Sequence, residues 1–157
     1  MSDGTPKGYA FINFKGNQYT VDYKVAGKAK DFQIEIYAPK VLEKDKKTSA
    51  GMYANFFMGS EKDQVLCRVD GGAWKKMKYV LESDPGFLST LHKWDNTDTL
   101  LTGRRPSVAA ECKHLWRLPI LANLAVGEHT IEVKATDMFG KTYTQSKKYN
   151  ILAPVTK

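Results

Sequence analysis

Apolar and polar side chains that alternate with a period of two leave a chain few ways to fold. Tyr19, Val21, Tyr23 and Val25 alternate with Gln18, Thr20, Asp22 and Lys24, and Phe32, Ile34 and Ile36 alternate with Gln33, Glu35 and Tyr37. Further on, His129, Ile131, Val133 and Ala135 alternate with Glu128, Thr130, Glu132 and Lys134. Successive side chains on a strand point to opposite faces, so each segment reads as a strand with one buried face. Further strands are expected at residues 9–14, 53–58, 64–70, 74–81 and 141–151. The intervening Lys15-Gly16-Asn17, Asp70-Gly71-Gly72 and Phe139-Gly140 supply residues that tolerate positive φ, as hairpin turns require.

One segment departs from the pattern. Phe87, Leu88, Leu91 and Trp94 recur at three- and four-residue spacing after Asp84-Pro85, which predicts a short helix capped by Asp84 with Pro85 in its first turn. Residues 95–124 then read as a long connection bearing aromatics, with Arg104-Arg105-Pro106 in its middle, and connections of that length are often functional or interfacial. Together these features predict an all-β protein, an antiparallel β-sandwich of the immunoglobulin or fibronectin III kind with one short helix. Residues 1–40 are expected to form an N-terminal β-meander, with Pro39 and the following lysine-rich loop as its boundary. Residues 41–157 are expected to form the sandwich, with residues 64–81 as one hairpin and 127–151 as another.

With 157 residues the chain has enough length for one well-buried core, and no apolar run approaches the roughly 20 residues of a membrane-spanning helix. The first eight residues are polar and hold no signal-peptide core, so the chain reads either as cytosolic or as part of something longer. The net charge of +7 invites a nucleic-acid reading, but the surplus is spread along both halves. Its densest stretch, Lys40 to Lys47, is interrupted by Glu43 and Asp45 and reads as a solvated loop rather than a phosphate-binding face. Nucleic acid is therefore disfavoured as a partner.

Chemistry-bearing residues are sparse. Cys67 shares a strand face with Val65 and Val69 and reads as a small buried hydrophobe. Two cysteines without a surrounding framework weigh against a Cys67–Cys112 disulfide, although an exported protein would allow one. Cys112 and His114 fall short of the four ligands of a structural zinc site. Of the three histidines, His129 lies on the apolar face of its strand and reads as a packed residue. No nucleophile elbow, phosphate loop, His-Glu-x-x-His string or two-metal ligand set occurs, so the chain reads as non-catalytic, with no cofactor or metal of its own.

Several strings nonetheless carry a resemblance. They include Asp3-Gly4-Thr5-Pro6, Ala54-Asn55-Phe56-Phe57-Met58-Gly59 and Val69-Asp70-Gly71-Gly72-Ala73-Trp74. More specific are Gly103-Arg104-Arg105-Pro106-Ser107 and Cys112-Lys113-His114-Leu115-Trp116. Over nearly its whole length the chain resembles the C-terminal domain of bacterial calcineurin-like metallophosphoesterases. The resemblance implies an exported, periplasmic or extracellular parent, with residues 1–40 continuing from an upstream catalytic domain that holds two divalent metals. It also implies that the partner is this phosphoesterase domain of the same polypeptide. The expected role is that of an accessory domain docking on, or shaping, the catalytic domain. The candidate surface comprises Trp94, Asp95, Arg104, Arg105, His114 and Trp116, since arginine suits carboxylate or phosphate and tryptophan supplies contact area. The alternative is a glycan- or cell-wall-binding module that uses Trp74, Trp94 and Trp116 as sugar-stacking platforms. A coplanar row of exposed aromatics would favour sugar, and a mixed aromatic and arginine patch would favour docking.

Overall fold

The computed structural model describes residues 1–155. Its elements follow in order: β1 (Gly8–Lys15), β2 (Gln18–Val25), β3 (Ile34–Tyr37), β4 (Val41–Glu43), β5 (Gly51–Phe56), β6 (Gln64–Val69), β7 (Lys75–Lys76) and β8 (Lys78–Ser83). The helix α1 (Pro85–Asp95) comes next, then β9 (Glu111–Pro119), β10 (Gly127–Thr136) and β11 (Thr142–Leu152). The protein is an all-β sandwich. A five-stranded sheet, β4-β11-β10-β6-β7, packs against a four-stranded sheet, β3-β5-β9-β8, and β1-β2 form a separate two-stranded ribbon. All pairings are antiparallel except that of β4 with β11.

The core lies between the two sheets. Ile34, Ile36, Met52, Ala54 and Phe56 of the smaller sheet meet Val65, Cys67, Ile131, Val133 and Ala135 of the larger. Every second residue of β10 from His129 to Ala135 is buried, as the alternation there predicts. The β10–β11 hairpin forms in full, from Gly127 opposite Ile151 to Thr136 opposite Thr142. The turn after β6 is made by Asp70 and Gly71, at φ +50° and +70°. Successive positive values of this kind match the twist of the flanking strands.

Four expectations need correction. Residues 64–81 do not make one hairpin: β7 pairs with β6, whereas β8 pairs with β9 in the other sheet. The chain changes sheets at Met77, whose side chain is buried in the core while its N–H is bonded to the Val65 carbonyl. Secondly, β3 falls within the segment read as a meander, yet it pairs with β5 and places Ile34 and Ile36 in the sandwich core. Thirdly, the solvated lysine loop contains β4, which borders β11. Lastly, residues 95–124 are not one connection. They contain β9, which lies between β5 and β8 and supplies the core with Trp116.

Candidate functional site

The helix forms as its sequence dictates. Asp84 caps it, its Oδ1 accepting the Phe87 N–H at 2.8 Å, and Pro85 occupies the first turn, where its missing N–H costs nothing. The last turn places Trp94, half-buried, beside the exposed Asp95. Arg105 reaches back across the following loop and grips Asp95 with two parallel bonds, Nε to Oδ1 at 2.6 Å and Nη2 to Oδ2 at 2.7 Å. Its Nη1 donates to the Pro106 carbonyl. The bond from Arg105 holds the Asp95 carboxyl below the ordinary carboxylate range. Arg104 is exposed and has no hydrogen-bond or ion-pair partner among the described residues.

Four of the six expected surface residues thus share one region, the C-terminal end of α1 and the loop behind it. His114 and Trp116 do not. Trp116 is 1% exposed and packs against Phe56 and Tyr79. His114 is buried on β9 as well. Two β8 steps, from Val80 to Glu82, face three on β9, from Leu115 to Cys112. That bulge breaks the alternation and re-aims the residues beside it. His114 thereby reaches Asn55, whose neighbour Ala54 points into the core.

The result is a chain of buried polar contacts that sequence reasoning missed. The Thr5 hydroxyl lies 3.0 Å from His114 Nε2, His114 Nδ1 lies 2.6 Å from Asn55 Oδ1, and Asn55 Nδ2 donates to Asp84 Oδ2 at 2.8 Å. Because the Asn55 amide nitrogen is committed to the carboxylate, its oxygen must accept from Nδ1–H, which leaves Nε2 to accept from Thr5. Gly4 passes so close to Asp84 that a Cβ would collide with that side chain, and its φ of +85° also favours glycine. The network therefore ties the N-terminal segment to β9, β5 and the helix cap. The one clue in the sequence is Asn55, a polar residue within the apolar run Ala54-Asn55-Phe56-Phe57.

The electrostatics fit a structural latch. Burial lowers the pKa of His114 despite Asp3 nearby, so the ring is neutral at pH 7. Burial also pushes the Cys112 thiol up to about 12 and that of Cys67 up to about 11, and both cysteines are free. A protonated, buried thiol is a poor nucleophile. Among the described residues no group of three or more His, Cys, Asp or Glu is placed to hold a metal ion.

His129 is tuned the other way. Its bond to Asp70, Nδ1 to Oδ2 at 2.6 Å, and a second bond, from Nε2 to the Ala125 carbonyl, raise its pKa. In an NMR titration of the imidazole resonances, His129 is expected to change charge above the ordinary value of about 6.5 and His114 below it. The consequences for stability have opposite signs. The contribution from His129 is complete below about 6.5 and is lost as pH rises through its raised pKa. The contribution from His114 is complete above about 6.5 and declines as pH falls towards its lowered pKa. The two rings titrating in the reverse order would contradict this geometry.

The tryptophans do not form a sugar-stacking row. Trp116 is buried, and the Trp74 ring is covered by Arg68 at 4.5 Å and Lys134 at 4.6 Å from its centroid. Trp94 is half-buried on a different element.

A family model described as the C terminal of calcineurin-like phosphoesterase matches residues 1–143. No curated protein and no solved structure matches the chain.

Proposed function

Since the chain belongs to the family that forms the C-terminal part of calcineurin-like phosphoesterases, we propose that it is an accessory domain that docks on the catalytic domain of its own polypeptide. The observation that carries this reading is the family match over residues 1–143, which runs from the N-terminal segment across both sheets. A catalytic domain is then the nearest partner. The resemblance further suggests an exported bacterial parent whose catalytic domain holds two divalent metals. The strand order supports an immunoglobulin-like sandwich, with four strands facing a sheet that carries an added parallel edge strand.

In this reading the end of α1 and the loop behind it form part of the docking surface. Arg105 and Asp95 clamp the loop, Trp94 offers contact area, and Arg104 is the cation left to meet an acidic or phosphate group. The region also borders the entry of the chain, because Ala110 N–H donates to the Ser2 carbonyl at 2.9 Å.

Arg104→Ala tests this directly. The isolated chain is expected to keep its melting temperature, since no internal bond is lost. The parent enzyme is expected to lose turnover of an aryl phosphodiester. A melting temperature that falls by several degrees, with parent turnover intact once folded, would sink the role assigned to Arg104.

A further inference from the structure

The β1-β2 ribbon is built unlike the rest of the chain. All eight residues of β1 are exposed, although its sequence is as apolar as a core strand. Tyr9 and Phe11 are each 52% exposed and pack edge to face at 5.3 Å; Ile12 and Phe14, on the opposite face, are 57% and 77% exposed. Tyr19, across from Phe14, extends that second patch to Phe139. β2 leans on the sandwich through Tyr23, whose ring meets Phe57, and through the Asp22–Lys141 ion pair. β1 forms the outer edge, and among the described residues it pairs with β2 alone. A lone two-stranded ribbon is marginal in water. An exposed apolar edge without interior lysine or proline is one that soluble proteins normally cover.

We infer that this ribbon, through β1 and its aromatic faces, is the seat of the catalytic domain, an inference that rests on the accessory-domain reading above. The occupant follows from how the chain enters. In a C-terminal family the catalytic part lies upstream, so its tether arrives through residues 1–7. Those residues are pinned. The Ser2 carbonyl accepts from Ala110, Thr5 bonds His114, and the Pro6 carbonyl accepts from the Tyr23 hydroxyl at 2.5 Å. These anchors lead the chain directly into Gly8, the first residue of β1, so the upstream domain joins on the side of the ribbon. Linkage within one polypeptide raises the effective concentration of that domain at the ribbon, an advantage a free second copy lacks. Lys7 and Lys15 bracket β1 and have no ion-pair partner among the described residues. The complementary surface is therefore apolar at its centre and acidic at its rim.

Hydrogen–deuterium exchange on the 157-residue chain and on the parent enzyme tests the inference. Amides of residues 9–14 are expected to exchange at least about tenfold more slowly in the parent. Phe11→Ser combined with Phe14→Ser is expected to abolish that protection while leaving the melting temperature of the shorter chain unchanged. Retained protection in this variant would overturn the inference. If the variant failed to fold, the wild-type comparison would still decide. Protection confined to residues 85–110 would overturn the ribbon as the seat and leave the accessory-domain reading standing. No protection anywhere would overturn both. Ribbon protection that rises with concentration in the shorter chain, with a dimer in sedimentation, would assign the seat to a second copy instead.

Discussion

Replacing Trp116 with alanine is expected to destabilise the isolated chain by about 3–5 kcal/mol, the range for removing a large buried aromatic side chain. The side chain is 1% exposed and stands on β9, between Ala54 of β5 and Tyr79 of β8. It touches the rings of Phe56 and Tyr79 at centroid distances of 6.3 and 5.5 Å, and Phe56 in turn meets Tyr143 of the facing sheet. Trp116→Ala would empty space on both sides of that chain of rings. Neighbours could not collapse to fill it, because β9 is held by hydrogen bonds on both edges. Urea denaturation of the isolated chain measures the effect. A change under about 1 kcal/mol would mean that the indole is solvent-facing after all, as a docking residue would be. The milder Trp116→Phe is expected to recover part of the loss by restoring ring contacts, which separates packing from contact with a partner.

The second large effect is expected at Asn55, where Asn55→Leu should cost about 2–5 kcal/mol. Leucine has the same branching and the same number of heavy atoms, so no cavity is left behind. The loss comes from the partners left behind: Asp84, 1% exposed, loses an amide donor, and His114 Nδ1–H loses its acceptor. Leaving a buried donor unsatisfied costs about 1–3 kcal/mol, and a buried carboxylate deprived of a partner costs more. The damage should spread to the N-terminal segment, since Thr5 is held through the same imidazole. Amide exchange at Gly4 and Thr5 should therefore accelerate along with the fall in stability. Equal stability, with unchanged exchange at Thr5, would show that the contacts are incidental and that the segment is held by other means.

Much of the architecture was legible in the sequence because it follows from local chemistry. Alternation located β2, β3, β6 and β10, glycine and aspartate located the turns, and Asp84-Pro85 located the helix to within a residue. Family resemblance was equally legible, since strings such as Gly103-Arg104-Arg105-Pro106 survive as strings whatever their fold. The candidate site was legible only in part. Trp94, Asp95, Arg104 and Arg105 are neighbours in sequence as well as in space, whereas His114 and Trp116 were assigned to a loop that is really a strand. The segment 111–119 mixes cysteine, lysine, histidine and arginine among its apolar residues, and its bulge removes the period-two signal that would have marked it.

By itself, then, the sequence determined most of the extended segments, though not β4 or β9, together with where the hairpins turn, where the helix starts and which family the chain belongs to. All of these depend on residues a few positions apart. Only the tertiary structure decided which faces are covered. Alternation reports that two faces of a strand differ, and it carries no information about what lies against either. The apolar face of β10 meets a second sheet, whereas the equally apolar β1 meets water. Tertiary structure also decided the change of sheet at Met77, because two short strands in succession read the same whether they stay in one sheet or cross to another. The same holds for the line from Thr5 to His114, Asn55 and Asp84, whose members lie 109, 59 and 29 residues apart in successive pairs. Bonds over such separations form only once β5, β9 and β8 have paired, and they depend on a single bulge in β9 to bring His114 into line.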